Sequence, residues 1–233
     1  MSLLKVKDLV SYIGLFTILQ GVDMDIQKGE AVAILGRNGA GKTTFLRTVM
    51  GMVKTRSGII ELDGKSLVGK TPHRISQMGI ALCPEDYGVF DELTIEENLL
   101  LAKHKNDSAT DERIEYVLDL FPDLKLAFKR HARTLSGGQR QMLSVGRTLV
   151  NETKLILIDE PSKGLAPVII EKMALALKEI SKRSTILLVE QNFHMAEIVT
   201  DRYYIVDEGR TVHSGLMEDL KKDEELKQRH LGL

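Results

Sequence analysis

Short apolar or alternating runs separated by turns fill the first part of the chain and predict strands. From residue 3 to about 35, such runs are interrupted at Gly14, at Gly21 and at the Lys28-Gly29 pair, which is typical of several successive strands. The run from Ala31 to Leu35 is apolar at every position. A run without polar positions predicts a strand that is buried on both faces.

The next stretch predicts a hairpin and a short helix. A strand is expected from Ser57 to Leu62, and Asp63-Gly64 after it is a typical two-residue hairpin turn. Thr71 followed by Pro72 predicts a helix start, with Thr71 as the cap and Pro72 in the first helical position. This helix is expected to end near Gly79.

From about residue 93 to 151 the hydrophobic spacing becomes helical. Three helices are predicted here: Thr94 to Leu101, Asp111 to Leu120, and Gln139 to Val150. The helical block therefore interrupts the strand-rich parts of the chain.

Strands return after this block. Leu155 to Ile158 and Thr185 to Val189 are apolar runs separated by a predicted helix from Pro167 to Ser181. Strand, helix and strand in this order predict a parallel sheet of the α/β class. The remaining predicted elements are a strand at Tyr203 to Val206, a turn at Glu208-Gly209, a strand at Thr211 to His213, and a charged helix from about Leu216.

Composition narrows the possible functions. The 233 residues include 32 Lys and Arg and 33 Asp and Glu, so the chain has no basic field and we expect no nucleic-acid partner. The start lacks the apolar segment of a secretory signal, so we expect the protein to stay in the cytosol. No run of about 18 apolar residues is present, so a role at the membrane is expected to need partner subunits.

Cysteine and histidine give little support for metal or redox chemistry. Cys83 is the single cysteine and lies in the apolar run from Gly79, which predicts a small buried side chain. The six histidines are scattered without the spacing of metal ligands. We predict no structural metal.

The segment after the predicted strand Ala31 to Leu35 predicts a nucleotide site. Gly36 to Thr43 matches the pattern G-x-x-x-x-G-K-[ST], in which backbone N–H groups and a helix N-terminus hold phosphates. Lys42 is expected to reach the terminal phosphates and the Thr43 hydroxyl to bind Mg²⁺. The predicted ATP-contacting residues of this segment are Gly36, Arg37, Asn38, Gly39, Ala40, Gly41, Lys42, Thr43 and Thr44.

Two carboxylates follow the buried run Leu155 to Ile158. Asp159 and Glu160 lie at the carboxyl end of that strand, where ligands of open α/β sheets bind. Asp159 is predicted to hold Mg²⁺ through water, and Glu160 to orient or deprotonate the water that attacks the γ-phosphate. Alone the pair would indicate only solvated residues, but together with the segment from Gly36 it predicts catalysis.

A second predicted phosphate cradle precedes the third helix of the helical block. In the sequence Leu135 to Gln139, Ser136 is a natural N-cap and Gly137 and Gly138 expose the backbone. A simple capped helix would explain Ser136 but not two adjacent glycines, which weaken a turn.

In their order and spacing, these three motifs resemble the ATP-binding cassette (ABC) ATPases. The resemblance implies an α/β fold with a RecA-like P-loop core, an N-terminal antiparallel β subdomain and an inserted α-helical subdomain. The predicted bounds are about 1–92 and 152–215 for the core with the β subdomain, 93–151 for the helical subdomain, and 216–233 for a C-terminal helix. It also implies ATP and Mg²⁺ as cofactors and a head-to-tail dimer, in which Ser136, Gly137, Gly138 and Gln139 cover the ATP of the partner subunit.

Further stretches resemble the smaller ATPase of branched-chain amino acid importers. They are Cys83 to Phe90, Leu93 to Leu99, Pro161 to Pro167 and Leu188 to Asn192. This resemblance implies a second ATPase subunit, integral-membrane permeases, an extracytoplasmic solute-binding protein and a place at the cytoplasmic face of the membrane. An importer of urea or short amides, an exporter and a non-transport ABC ATPase remain alternatives.

Two positions, 85 and 191, depart from the common ABC pattern, and the residue that stacks on adenine is located by that pattern only approximately. Glu85 stands where most cassettes have a glutamine that contacts Mg²⁺, and its carboxylate is expected to face the metal in the same way. Gln191 stands where most have a histidine that contacts the γ-phosphate. Glutamine donates a hydrogen bond but carries no proton, which assigns the proton handling to Glu160 or to the substrate. Tyr12 is the first candidate for stacking on adenine, and Phe16 is the second.

Overall fold

The computed structural model describes residues 2–232, and its backbone contains two β-sheets. One sheet has six strands in the order β10-β9-β3-β8-β7-β6, and the other has four strands in the order β2-β1-β4-β5. The strands are β1 (Ser2–Ile13), β2 (Phe16–Gln27), β3 (Ala31–Leu35), β4 (Thr55–Leu62), β5 (Lys65–Ser66), β6 (Ile80–Cys83), β7 (Leu155–Asp159), β8 (Thr185–Val189), β9 (Arg202–Asp207) and β10 (Arg210–Leu216).

The six-stranded sheet is the centre of the fold. Its strands β9, β3, β8, β7 and β6 are parallel, and β10 adds an antiparallel edge. Every residue of β3, β7 and β8 is buried, because alternate side chains enter different cores: Ile156 and Ile158 pack with the helical block, whereas Leu155 and Leu157 pack toward the smaller sheet. This confirms the parallel sheet predicted from the apolar runs.

The four-stranded antiparallel sheet is built by hairpins. Asp63 and Gly64 join β4 to β5 with φ values of 49° and 71°, as a type I′ turn requires, so the predicted hairpin is confirmed. Glu208 and Gly209 join β9 to β10 in the larger sheet with φ values of 45° and 75°.

Helices cover the sheets and form the block between β6 and β7. They are α1 (Lys42–Val49), α2 (Pro72–Gln77), α3 (Ile95–Leu101), α4 (Ser108–Leu120), α5 (Pro122–Leu126), α6 (Gly137–Leu149), α7 (Pro167–Ser181), α8 (Phe193–Val199), α9 (Met217–Lys222) and α10 (Glu224–His230). Thr94 caps α3 in a capping box with Glu97, which confirms the predicted start of that helix.

Several details differ from the sequence prediction. The fourth helix starts at Ser108 rather than Asp111, because Asp107 accepts a hydrogen bond from the Thr110 amide as its N-cap. Thr71 occupies the N-cap position of α2, but its side chain makes no capping hydrogen bond. Instead of one charged helix after Leu216 there are two, because Asp223 breaks the first and caps the second. The short helices α5 and α8 were not predicted. No helix within residues 2–232 is long and apolar enough to cross a membrane.

Candidate functional site

The loop between β3 and α1 is shaped to receive an anion. Gly36 has φ 148°, and a Cβ there would lie 2.2 Å from the Val206 carbonyl oxygen, so only glycine fits. Helix α1 begins at Lys42, and its N-cap Gly41 has no side chain to cap it. The first N–H groups of the helix therefore remain available to a ligand, as expected of a phosphate-binding loop.

Lys42 lies folded over this loop and is almost completely buried. Its Nζ donates hydrogen bonds to the carbonyl oxygens of Gly36 at 2.8 Å and Arg37 at 3.1 Å. The same Nζ lies 3.5 Å from Oε1 of Glu160. The structure thus brings the predicted P-loop lysine and the predicted catalytic carboxylate into one ion pair.

Asp159 lies beside the start of α1. The Thr43 hydroxyl donates to Oδ1 of Asp159 over 3.1 Å. Burial, together with the nearby charges of Glu160 and Glu85, raises the pKa of Asp159 to about 6 in spite of the lowering effect of the Thr43 hydrogen bond. A carboxylate that is costly to ionise in this place favours a cation beside it.

The oxygen donors of Thr43 and Asp159 fit Mg²⁺, which prefers hard oxygen ligands. Among residues 2–232 there is no group of three or more His, Cys, Asp or Glu side chains placed to hold a metal. A metal ion here would need nucleotide oxygens and water to complete its ligand set, which is the usual arrangement for Mg²⁺ at a phosphate site.

Gln191 joins the two halves of this cluster. Its Nε2 donates to Oε1 of Glu160 and to Oδ1 of Asn38, both at 2.6 Å. Asn38 belongs to the P-loop, and Glu160 has a positive φ of 44°, a backbone conformation that is rare outside glycine. The sequence placed Gln191 at the γ-phosphate position by alignment alone, and the structure puts it beside Glu160.

Glu190 is a residue of this region that the motifs did not single out. It is only 1% exposed, and its carboxylate accepts hydrogen bonds from the loops that follow β7 and β8. An acidic residue directly after the fully buried strand β8 was the available signal, since buried carboxylates need dedicated partners.

Glu85 is paired with a lysine from the loop after β7. Its carboxylate accepts a hydrogen bond from Nζ of Lys163 and forms an ion pair with it, and this contact raises the pKa of Lys163. The lysine offsets the negative charge that Glu85 brings toward Asp159. The predicted metal-facing role of Glu85 stays a prediction.

The signature residues form a separate group at the start of α6. Ser136 caps the helix, and it forms a reciprocal capping box with Gln139, so the helix begins at Gly137, two residues earlier than predicted. Gly137 is exposed. A Cβ on Gly138 would lie 2.6 Å from Cγ2 of Ile169, so this glycine serves close packing against α7. The hydrogen bonds of this group stay within α6 and its cap.

The two adenine candidates lie on opposite faces of the hairpin formed by β1 and β2. The ring of Tyr12 carries the Arg56 guanidinium 4.8 Å from its centroid, and its hydroxyl accepts a hydrogen bond from Arg56, whereas Ser11 next to it contacts Thr48 of α1. Phe16 pairs with Ile13, on the Ser11 face, and is 75% exposed. Which of the two rings stacks on adenine stays a prediction.

A groove of about 750 Å³ opens between the core and the helical block. Its walls include Met52, His104 and the segment from Pro84 to Gly88. Arg147 of α6 fixes this segment, since it donates to the Gly88 carbonyl and lies 4.9 Å from the centroid of the Phe90 ring. Arg147 therefore links α6 to this wall of the groove.

Known proteins resemble this chain over nearly its whole length. Residues 19–163 match the family model described as ABC transporter. The chain is 38% identical to the high-affinity branched-chain amino acid transport ATP-binding protein BraG of Pseudomonas aeruginosa, covering 95% of this chain and 96% of BraG. It is also 38% identical to the probable branched-chain amino acid transport ATP-binding protein LivF of Archaeoglobus fulgidus, covering 93% of each.

The fold resembles solved ATP-binding cassettes. The ADP conformation of MJ1267, an ATP-binding cassette of an ABC transporter, superposes with a TM-score of 0.83 at 26% identity and covers 98% of both chains. This confirms the predicted ABC ATPase fold, and together with the family match it confirms ATP binding and ATPase activity. The chain therefore belongs to the ABC transporter family, as one of its ATP-binding, ATP-hydrolysing subunits.

Proposed function

We propose that this chain powers an importer of branched-chain or other hydrophobic amino acids by hydrolysing ATP. The observation that carries the proposal is the 38% identity to BraG and to LivF, which extends over more than nine tenths of this chain in both alignments. Similarity of this extent covers the P-loop, the helical block and the C-terminal elements together, so it concerns the whole subunit and not one motif.

The site supports a division of labour among its side chains. The P-loop N–H groups bind the phosphates, and Lys42 moves from its carbonyl partners to the terminal phosphates. Thr43 and Asp159 would hold Mg²⁺, which when bound neutralises phosphate charge. Glu85, with its lysine partner, is proposed to face the same metal.

Glu160 is proposed as the base that orients the attacking water and accepts its proton. Gln191 holds Oε1 of Glu160 through its amide hydrogen, which leaves the second carboxylate oxygen for the water. A glutamine amide does not titrate, so Gln191 positions Glu160 and contacts the γ-phosphate without carrying the proton.

The second half of the site is proposed to come from another subunit. Ser136 and Gly137 are exposed and start a helix, which is a suitable surface for phosphate. ABC ATP-binding subunits dimerise and work with membrane permeases. We propose that Ser136 to Gln139 cover the ATP of a partner ATPase, either a second copy or a related chain.

The groove bounded by Pro84 to Gly88 is proposed to receive a permease. The groove lies between the helical block and the core, and Arg147 of the block contacts its wall. Movement of the block would therefore be transmitted to the bound permease. In this arrangement the protein binds peripherally at the cytoplasmic face of the membrane, and a solute-binding protein delivers the substrate on the other side.

Uptake by cells tests the proposed substrate class. A strain lacking this chain is expected to lose uptake of radiolabelled leucine, the wild-type chain to restore it, and Lys42→Ala to fail because the ammonium that reaches the phosphates is removed. Urea and acetamide uptake are measured in parallel. Loss of amide uptake with normal leucine uptake would identify an amide importer, and normal uptake of both, with purification in a complex free of permeases, would favour a non-transport ATPase.

A further inference from the structure

The carboxyl ends of three parallel strands meet around residue 190. The Glu190 amide donates to the Ile34 carbonyl oxygen at 3.1 Å, at the end of the strand that leads into the P-loop. The Glu160 amide donates to the Val189 carbonyl oxygen at 2.9 Å. The backbone at 189–190 therefore contacts both the strand that leads into the phosphate-binding loop and the loop that carries the proposed base.

The Glu190 side chain continues this link. Its Oε1 accepts the Ser162 amide at 2.9 Å. Its Oε2 accepts the Ser162 hydroxyl at 2.8 Å and the amides of Gln191 and Asn192, both at 3.0 Å. All four partners are donors, so an acceptor-only carboxylate satisfies every one of them at the same time.

The partners of Glu190 are confined to two loops. Ser162 lies two residues after Glu160, and Gln191 donates to Glu160 through its side chain. Glu160 is held at a φ of 44°, a conformation that persists only where the surroundings enforce it. None of the hydrogen-bond partners of the Glu190 carboxylate belongs to a strand, so its contacts stabilise the two loops and not the sheet itself.

We propose that Glu190 is a positioning residue for ATP hydrolysis. Its carboxylate joins the 160–163 loop to the 190–192 loop and thereby keeps the side-chain amide of Gln191 hydrogen-bonded to the Glu160 carboxylate. The inference rests on the roles proposed above for Glu160 and Gln191. It predicts an effect on turnover and not on nucleotide affinity, because none of the four hydrogen bonds of the Glu190 carboxylate is made with a residue of the P-loop.

Glu190→Gln tests the link with little change in shape. The new amide group places two N–H donors where the backbone N–H groups of Ser162, Gln191 and Asn192 also donate. Whichever way the amide is oriented, at least one of these backbone hydrogen bonds breaks. We expect kcat of the ATPase to fall about 10- to 100-fold, the usual effect of displaced catalytic groups, and the Kd for ATP to stay within about twofold.

Two further variants calibrate this effect. Ser162→Ala removes one of the four donors and is expected to lower kcat by only about fivefold. Glu30→Gln is the matched control, because Glu30 also accepts backbone and guanidinium hydrogen bonds but lies at the amino end of β3, away from the site. Glu30→Gln is expected to keep wild-type turnover.

A double-mutant cycle separates positioning from simple stabilisation. If Glu190 acts through Gln191, Glu190→Gln lowers kcat in the wild-type background and has little further effect in a Gln191→Ala background. Unchanged turnover in Glu190→Gln, or losses that multiply in the double variant, would overturn the inference while the role of Gln191 stands. Wild-type turnover in Gln191→Ala would refute the proposed role of Gln191 and this inference with it.

Discussion

Replacing Gly138 by alanine tests how the signature helix is held against the core. The new Cβ would lie 2.6 Å from Cγ2 of Ile169 and 3.7 Å from its Cβ and Cγ1, whereas ordinary carbon contacts are about 3.5 to 4 Å. Relieving an overlap of this size in packed surroundings costs about 1 to 3 kcal/mol. The helical preference of alanine over glycine returns about 0.5 to 1 kcal/mol, so we expect a net loss of about 1 to 2 kcal/mol.

Urea unfolding measures this loss as a lower midpoint at an unchanged slope. The matched control is Gly137→Ala, because a Cβ there would meet Tyr87 at 3.4 Å and Leu165 at 3.8 Å, which is near ordinary contact. We expect Gly137→Ala to unfold at the wild-type midpoint or slightly above it.

The Ile169→Ala background identifies the source of the strain. Removing the Ile169 methyl groups opens the space that the new Cβ needs, so Gly138→Ala is expected to be neutral or stabilising in that background. Equal destabilisation by Gly137→Ala and Gly138→Ala, or the same loss from Gly138→Ala with and without Ile169, would refute the packing explanation for this glycine.

Two further predictions concern buried titratable groups. Burial raises the pKa of Asp159 from 3.8 to about 6, so the stability it contributes is complete below pH 3.8 and is lost as the pH rises through 6. In EDTA, the free energy of unfolding of Asp159→Asn should equal that of wild type near pH 4 and exceed it by about 1 to 2 kcal/mol at pH 8. The pKa difference implies about 3 kcal/mol, and solvent screening reduces this value. Equal urea midpoints at pH 8 would contradict the prediction. Burial also raises the pKa of Cys83 to about 12, so iodoacetamide at pH 8 should alkylate it only in step with urea unfolding, and rapid labelling of the native protein would show that the thiol is accessible.

The sequence predicted those parts of the fold whose signal is local and long enough. Strands β3, β7 and β8 are unbroken apolar runs, because both faces of the central sheet are covered. Helices α5 and α8, with five and seven residues, are too short for a clear helical period. The equally short α2 and α3 are predicted from the start signals at Thr71-Pro72 and Thr94 and not from their period. The boundary of α6 was placed two residues late, although its Ser136 cap had been recognised.

For the candidate site as well, only residues with a local sequence signal could be predicted. Lys42, Asp159 and Glu160 are predicted from sequence because each belongs to a compact motif, and the structure brings Lys42 and Glu160 together. Glu190 was not assigned a role, because its main partner Ser162 lies 28 residues away and contributes a backbone amide that any residue type could supply.

The two adenine candidates lie next to a small irregularity of the β1–β2 hairpin. The register between β1 and β2 shifts between Ser11 and Tyr12. A β-bulge changes which side chains share a face, and the sequence gives no sign of it. Tyr12 lies against Arg56 of β4, and Phe16 is exposed.

The most direct test of the whole account is Glu160→Gln, measured for ATP binding and hydrolysis side by side. The substitution keeps the shape of the side chain and removes its ability to accept a proton. We expect ATP to bind with about the wild-type Kd, turnover to fall by about 100-fold or more, and an ATP-bound dimer to accumulate on size exclusion. Near wild-type turnover in Glu160→Gln would contradict the account, because the water-orienting base would then lie elsewhere.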